Sequence, residues 1–222
     1  MNLSEIKHLV GKEIVLEWRN RNTLNGILLY LVSMIFICYL AIGVYHEQIS
    51  PRLWNALFWI IILFSAINAV AKSFIRLGTG RLLYYYILAS PEAIILSKII
   101  YNTMLLSVIA LCGAFFYGII MGNPIQGTSL FALTLLLGVW GLSSVLTLIS
   151  GIASRSVNST TLMAILSFPV LIPLLLMIIR LTGYAIDGQD WNFAGGKIVI
   201  LAALNVIAVT MSYILFPYLW KN

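Results

Sequence analysis

Few side chains in this sequence are of a kind that does chemistry, and their spacing excludes most of what they could do. Gly122 and Gly127, followed by Thr128 and Ser129, have nearly the spacing of a phosphate-binding loop. The lysine that would reach the phosphates is missing, and no strand leads into the segment. His8 and His46 stand near the ends of apolar segments and form no metal cluster by spacing. Cys38 and Cys112 both fall inside apolar runs, where a cysteine behaves as a small hydrophobic residue and not as half of a disulfide or metal pair. Asn158-Ser159-Thr160 matches a glycosylation acceptor, but it lies at a helix start on the face expected to be cytoplasmic. The chain therefore reads as a non-enzyme, with no catalytic, cofactor-binding or metal-binding residues.

What must position any function is a set of membrane helices. The 222 residues are 61% hydrophobic and 9% charged, whereas a soluble domain carries about 25% charged residues to cover its surface. Five long apolar runs lie between Arg21 and Lys197, and a sixth follows Lys197. A bilayer core of about 30 Å takes roughly 20 apolar residues per helical crossing, so little chain is left for a soluble domain. The expected fold is an all-α integral membrane protein, a single polytopic domain over residues 1–222. Its spans are expected at about 24–45, 53–72, 93–121, 129–153, 159–181 and 198–219. The first run is longer than the h-region of a signal peptide and is read as a retained anchor.

Residues 1–22 form no span. Leu3, Ile6, Val10, Ile14 and Trp18 recur at three- and four-residue steps, with Glu5, Lys12, Glu13 and Arg19 largely elsewhere around the helix. That pattern predicts an amphipathic helix lying in the membrane interface, with Trp18 at headgroup depth. The net charge of +6 is distributed around span ends, which argues against nucleic acid and for the positive-inside rule. With the N-terminus inside, Lys7, Lys12, Arg19, Arg21, Lys72, Arg76, Arg81, Lys98, Arg155 and Lys221 share one face. Arg52, Arg180 and Lys197 share the other, ten cations against three. Both termini are expected in the cytoplasm. Loop 182–197 is expected outside, with Trp191 and Phe193 as interface anchors.

The spans hold almost no ionisable group near mid-depth, where an ion-coupled carrier would keep one. They hold small residues at helix-packing spacing, in one stripe of Ala110, Ala114, Gly118 and Gly122 and another of Ser143, Thr147 and Gly151. Asn68, Asn102 and Asn205 either hydrogen-bond between helices or line a cavity. Pro169 and Pro173, four apart in the fifth span, are expected to kink it by freeing the carbonyls near Ile165 and Pro169.

The longest connection, residues 72–92, has helix-breaking Gly78 and Gly80 at one end and Ser90-Pro91 at the other. Ser90 suits an N-cap and Pro91 a first helical turn. Between them, Arg81 to Leu88 reads as a short helix with an aromatic and basic surface. Two readings stay open: an interfacial aromatic belt, or a docking helix for a soluble partner whose contacts would be Arg81, Leu82, Tyr84 and Tyr85.

These features together resemble a known family. Its carriers are Glu13-x5-Arg19, then Gly80-x-Leu82 leading through Ser90-Pro91 to Leu96-Ser97-Lys98, then Leu133 to Gly138, and Ser167-Phe-Pro169-Val-Leu-Ile-Pro173. In order and spacing the chain resembles haem exporter protein B, the CcmB family, over nearly its whole length. The resemblance implies a permease of ABC-2 type in the bacterial inner membrane, acting in c-type cytochrome assembly. It implies as partners a CcmA-like ABC ATPase, CcmC-like and CcmD-like membrane subunits and a CcmE-like haem chaperone, with two copies of the permease per complex. Haem would be the handled substrate of the complex and not a cofactor of this chain. Family members tend to carry acidic residues before the glycine where this chain has Arg76-Leu77-Gly78-Thr79, which gives its docking surface different electrostatics. The rival readings are an autonomous channel or secondary carrier for a small solute, for which the three asparagines are the polar candidates, and a structural scaffold subunit.

Overall fold

A chain this apolar must satisfy its backbone hydrogen bonds within each segment, and helices do that without help from water. The computed structural model describes residues 3–19, 21–43, 49–75, 90–154, 159–189 and 191–221. Among them the elements are α1 (Leu3–Arg19), α2 (Arg21–Gly43), α3 (Pro51–Ile75), α4 (Pro91–Met121), α5 (Thr128–Ala153), α6 (Ser159–Ile186) and α7 (Trp191–Lys221). No strand occurs among the described residues. The six helices from α2 to α7 are each long and apolar enough to cross a membrane.

Helix α5 is the centre of the bundle. It packs against α3, α4, α6 and α7 and is the most buried of the six. Small and hydroxyl side chains make this possible. Ser143 donates to the Ile99 carbonyl of α4 (3.1 Å), Thr147 accepts from Asn102 Nδ2 of α4 (2.8 Å), and Ser150 donates to the Val70 carbonyl of α3 (3.3 Å). The stripe of Ser143, Thr147 and Gly151 is buried, as its spacing predicts.

The other stripe behaves differently. Ala110 is buried, but a Cβ added at Gly118 would meet nothing nearer than the Asn123 Cβ at 4.0 Å, and Gly122 (φ +79°) terminates α4. Among the described glycines inside helices, those pressed by neighbours are Gly113, Gly138 and Gly141. A Cβ on Gly138 would lie 2.8 Å from Trp59, and one on Gly141 would run into Asn205 and Leu174. The spacing of small residues identifies candidates for close approach; only the rotation of each helix decides which of them face a partner.

At the expected outer end, α3 contributes a cluster of Trp54, Phe58 and Trp59, joined by Tyr117 of α4 and Phe131 of α5. The polar atoms of this cluster are used across helices. Trp54 Nε1 donates to the Gly122 carbonyl (2.8 Å), Trp59 Nε1 to Thr182 Oγ1 (2.9 Å), Tyr117 to the Trp54 carbonyl (3.1 Å), and Asn55 Nδ2 to the Ile179 carbonyl (2.8 Å). These bonds hold α3 to α4 and α6.

The helices α6 and α7 run on into the stretch expected as loop 182–197. Only Asp187, Gly188 and Gln189 are described between them outside helix. Gln189 donates its N–H to the Tyr184 carbonyl (3.0 Å), and Gly188 takes φ +64°, a conformation that favours glycine. Gln126 and Gly127 donate their backbone N–H groups to the Ala185 carbonyl (3.2 and 2.8 Å), tying the two loops of this end together. Gly195 and Gly196 lie inside the first turns of α7, because a helix longer than one crossing tolerates them outside the packed core.

Candidate functional site

At the opposite end of the bundle from the aromatic cluster, α1 packs against the start of α4. Ser90 is the N-cap of α4 and Pro91 its first residue, as their types predict. The Ser90 hydroxyl makes no cap bond to its own helix, however. It points to Glu5 of α1, whose Oε1 accepts from the Ser90 backbone N–H (2.8 Å) and lies 3.3 Å from the Ser90 hydroxyl. A carboxylate at this place meets the positive end of the helix dipole and an otherwise unsatisfied amide.

Two turns further along, Lys98 of α4 approaches Glu13 of α1, with Nζ 3.4 Å from Oε1. The Lys98 side chain is 3% exposed and that of Glu13 19%. Between the two polar links, Ile6 is buried, and Leu9 and Leu96 pack on a cluster of Ile94, Ile95, Ile99 and Phe216. Apolar packing with a polar fastening at each end fixes the rotation of α1.

The sequence places Glu5 and Glu13 largely off the apolar stripe of α1. Both carboxylates face α4, where the start of that helix offers them an N-terminal amide and a buried ammonium. Ile14 and Trp18 are exposed, with Trp18 at 69%. Arg19 ends α1 and is also exposed.

The expected docking residues Arg81, Leu82, Tyr84 and Tyr85 lie outside the described residues, as do Arg76 to Thr79. Their segment ends at Ser90, so the position next to it in the chain is the one held by Glu5. Pro169 and Pro173 lie inside α6, which continues as helix through both, and both are exposed. Pro217 lies in the last turns of α7 and is half-buried. Asn102 is fully buried and donates to Thr147, and Asn205, also fully buried, donates Nδ2 to the Leu137 carbonyl (2.8 Å). Asn68 is half-buried in α3. No group of three or more metal-ligating side chains occurs among the described residues.

Glu5 and Glu13 of α1 stand 85 residues before their partners Ser90 and Lys98 at the start of α4, and the fold brings the two pairs to one junction. A family profile described as CcmB protein matches residues 4–218, from the first turn of α1 to the last turns of α7. The chain belongs to the CcmB family. The match spans both partners of the α1–α4 junction and all six long apolar helices. As a CcmB-family chain it is a multi-pass membrane protein and a membrane component of a haem-export system. A comparison with curated proteins finds no match.

Glu5 and Lys98 are the members of the junction that sequence reasoning did not pair. In the sequence Glu5 is one of the charged residues off the apolar stripe of α1, with nothing to point it at Ser90. Lys98 had one usable signal, a charge set inside the first turns of an otherwise apolar span, which requires a partner.

Proposed function

We propose that this chain is the permease subunit of an ABC transporter that handles haem in c-type cytochrome biogenesis, with ATP hydrolysed in a separate CcmA-like subunit. The observation that carries the reading is the family match over nearly the entire chain. In this reading the protein sits in the bacterial inner membrane with both termini cytoplasmic, two copies join two ATPases, and CcmC-like and CcmD-like subunits complete the complex. The product is release of a haem-loaded CcmE-like chaperone.

The α1–α4 junction supports a mechanical account. An ATPase docked on residues 81–88 would push on chain that enters α4 at Ser90. Glu5 and Glu13 fasten that end of α4 to α1, so α1 and α4 would move as one lever against α5 and α3. The lever is short and stiff because the fastening at Lys98 is buried. Of the three asparagines that a carrier would use, Asn102 donates to Thr147 and Asn205 to the Leu137 carbonyl within the packing of the bundle, which supports the permease reading over a solute path.

The test is affinity purification of the full chain in mild detergent, with identification of what accompanies it. An ATPase and a CcmC-like subunit are expected. Replacing Arg81 and Tyr85 together with Asp is expected to abolish ATPase recovery while membrane insertion persists. Undiminished recovery would refute docking at this segment, and absence of any ATPase from the wild-type sample would refute the complex.

A further inference from the structure

Helices α6 and α7 pack against each other, and the apolar span of each holds a single charged residue. Arg180 stands six residues before the end of α6, and Lys197 six residues after the start of α7. By the rise of an α-helix, each lies about 9 Å below the end of its span, at the depth of the headgroups and the first acyl carbons. Trp191 and Phe193, exposed in the first turn of α7, mark the interface above them.

A basic residue at a span end ordinarily extends alone to water. Lys197 does not. It is half-buried and turned across the helix pair, with Nζ 4.6 Å from the centroid of the Tyr184 ring of α6. Tyr184 packs on the core, four residues after Arg180 and so on the same side of α6. The ring face positions the ammonium and leaves its N–H donors for an acceptor. Two helices thus bring two cations to one stretch of the α6–α7 seam. Among the described residues, neither is paired with a carboxylate.

The other charges of this end do not fill that role. Arg52, at the start of α3, adds a third cation. Asp187 is exposed and lies seven residues past Arg180. By the helix rise that is about 10 Å towards water, beyond a Debye length of about 8 Å. Glu47 and Asp190 lie outside the described residues. Towards the bilayer centre, Leu176 and Ile172 of α6 and Ile200 of α7 are exposed one and two turns below the cations. A ligand that fits carries an anionic group between Arg180 and Lys197 and an apolar body along these side chains.

We propose that the α6–α7 seam binds an anionic phospholipid, with its phosphate between the Arg180 guanidinium and the Lys197 ammonium and its acyl chains along Leu176 and Ile200. The guanidinium offers two parallel donors to phosphate oxygens, and the ammonium a point charge. The phosphate offsets the repulsion of two cations held side by side and ties α6 to α7 close to their turn. The orientation proposed above bears only on which leaflet supplies the lipid, the outer one; binding is read without it.

The test uses the full chain reconstituted in nanodiscs of equal parts phosphatidylglycerol and phosphatidylcholine, then transferred to mild detergent, with retained lipid quantified by mass spectrometry. The wild type is expected to retain phosphatidylglycerol over phosphatidylcholine. The preference is expected to fall about fivefold for each of Arg180→Gln and Lys197→Gln. Lys197→Arg is expected to keep it, and Tyr184→Leu to weaken it by releasing the ammonium. Arg52→Gln removes the same charge from the same end and is expected to leave the preference unchanged. An excess of inorganic phosphate is expected to displace no lipid. Equal retention of the two lipids by the wild type overturns the proposal. So does an equal fall in Arg52→Gln, which would reduce the preference to net charge. Displacement by inorganic phosphate would make the seam a site for a free anion and overturn the lipid.

Discussion

Lys98 Nζ lies 3.4 Å from Glu13 Oε1, and the lysine is the more deeply buried of the two, at 3% against 19% exposure. An ion pair in low dielectric is costly when broken from either side, by about 3–5 kcal/mol for a well-buried pair. The cost here should be unequal. Glu13→Gln removes the carboxylate that faces an ammonium in the packed start of α4, whereas Lys98→Met leaves a carboxylate with some access to water. Glu13→Gln is therefore expected to lower thermal stability in detergent more than Lys98→Met. The double variant is expected to recover much of the loss. Equal effects of the two single changes, with no recovery in the double, would show that the pair contributes nothing as a pair.

Glycine substitutions separate packing from mere spacing. Gly141→Ala forces a methyl group against Asn205 and Leu174 and is expected to cost about 1–3 kcal/mol. Gly118→Ala has room and should gain from the higher helix propensity of alanine, by up to about 1 kcal/mol. Thermal melting of the two purified variants checks this. A destabilised Gly118→Ala would restore the packing stripe that the sequence suggests.

Asn205 distinguishes a packing role from a place on a solute path. Its Nδ2 donates to the Leu137 carbonyl between α7 and α5. Asn205→Ala is expected to lower stability by about 1 kcal/mol, the scale of a hydrogen bond between membrane helices. Mature c-type haem staining per inserted protein should remain at the wild-type level. A fall in that normalised yield would favour a polar path.

Pro173 is exposed on α6, and the helix continues through it. Pro173→Ala restores one backbone donor and is expected to leave normalised cytochrome yield unchanged. A variant that inserts and assembles normally yet matures less cytochrome would establish the proline as part of the transport cycle.

The orientation is tested with single cysteines in a background lacking Cys38 and Cys112. A membrane-impermeant thiol reagent applied to spheroplasts should label Gln189→Cys and spare Leu3→Cys and Lys221→Cys. The reverse pattern would invert the arrangement that the ten-to-three distribution of cations predicts.

The six spans, the separate helix before them and the family were legible because each rests on a property that one chain segment carries by itself. A run long enough to cross the bilayer has to form a helix in lipid, whatever its neighbours are. The motifs from Glu13 to Pro173 keep their order without reference to the fold. Ser90 and Pro91 likewise declare a helix start locally. Rotation and pairing are not local properties. The seventeen-residue α1 has an apolar stripe through Ile6, Ile14 and Trp18, of which Ile6 is buried in the bundle, and the stripe alone does not say which side of the helix meets α4. The deciding factor is on another helix: an open N-terminal amide at Ser90 and a buried ammonium at Lys98, which draw in Glu5 and Glu13. Gly138 and Gly141 were equally hidden, since their role depends on Trp59 and Asn205 arriving from α3 and α7. In a membrane bundle every span is apolar on all sides, so hydrophobic pattern cannot say which side meets protein and which meets lipid; shape, small residues and a few polar partners decide it, and those exist only once the helices are packed.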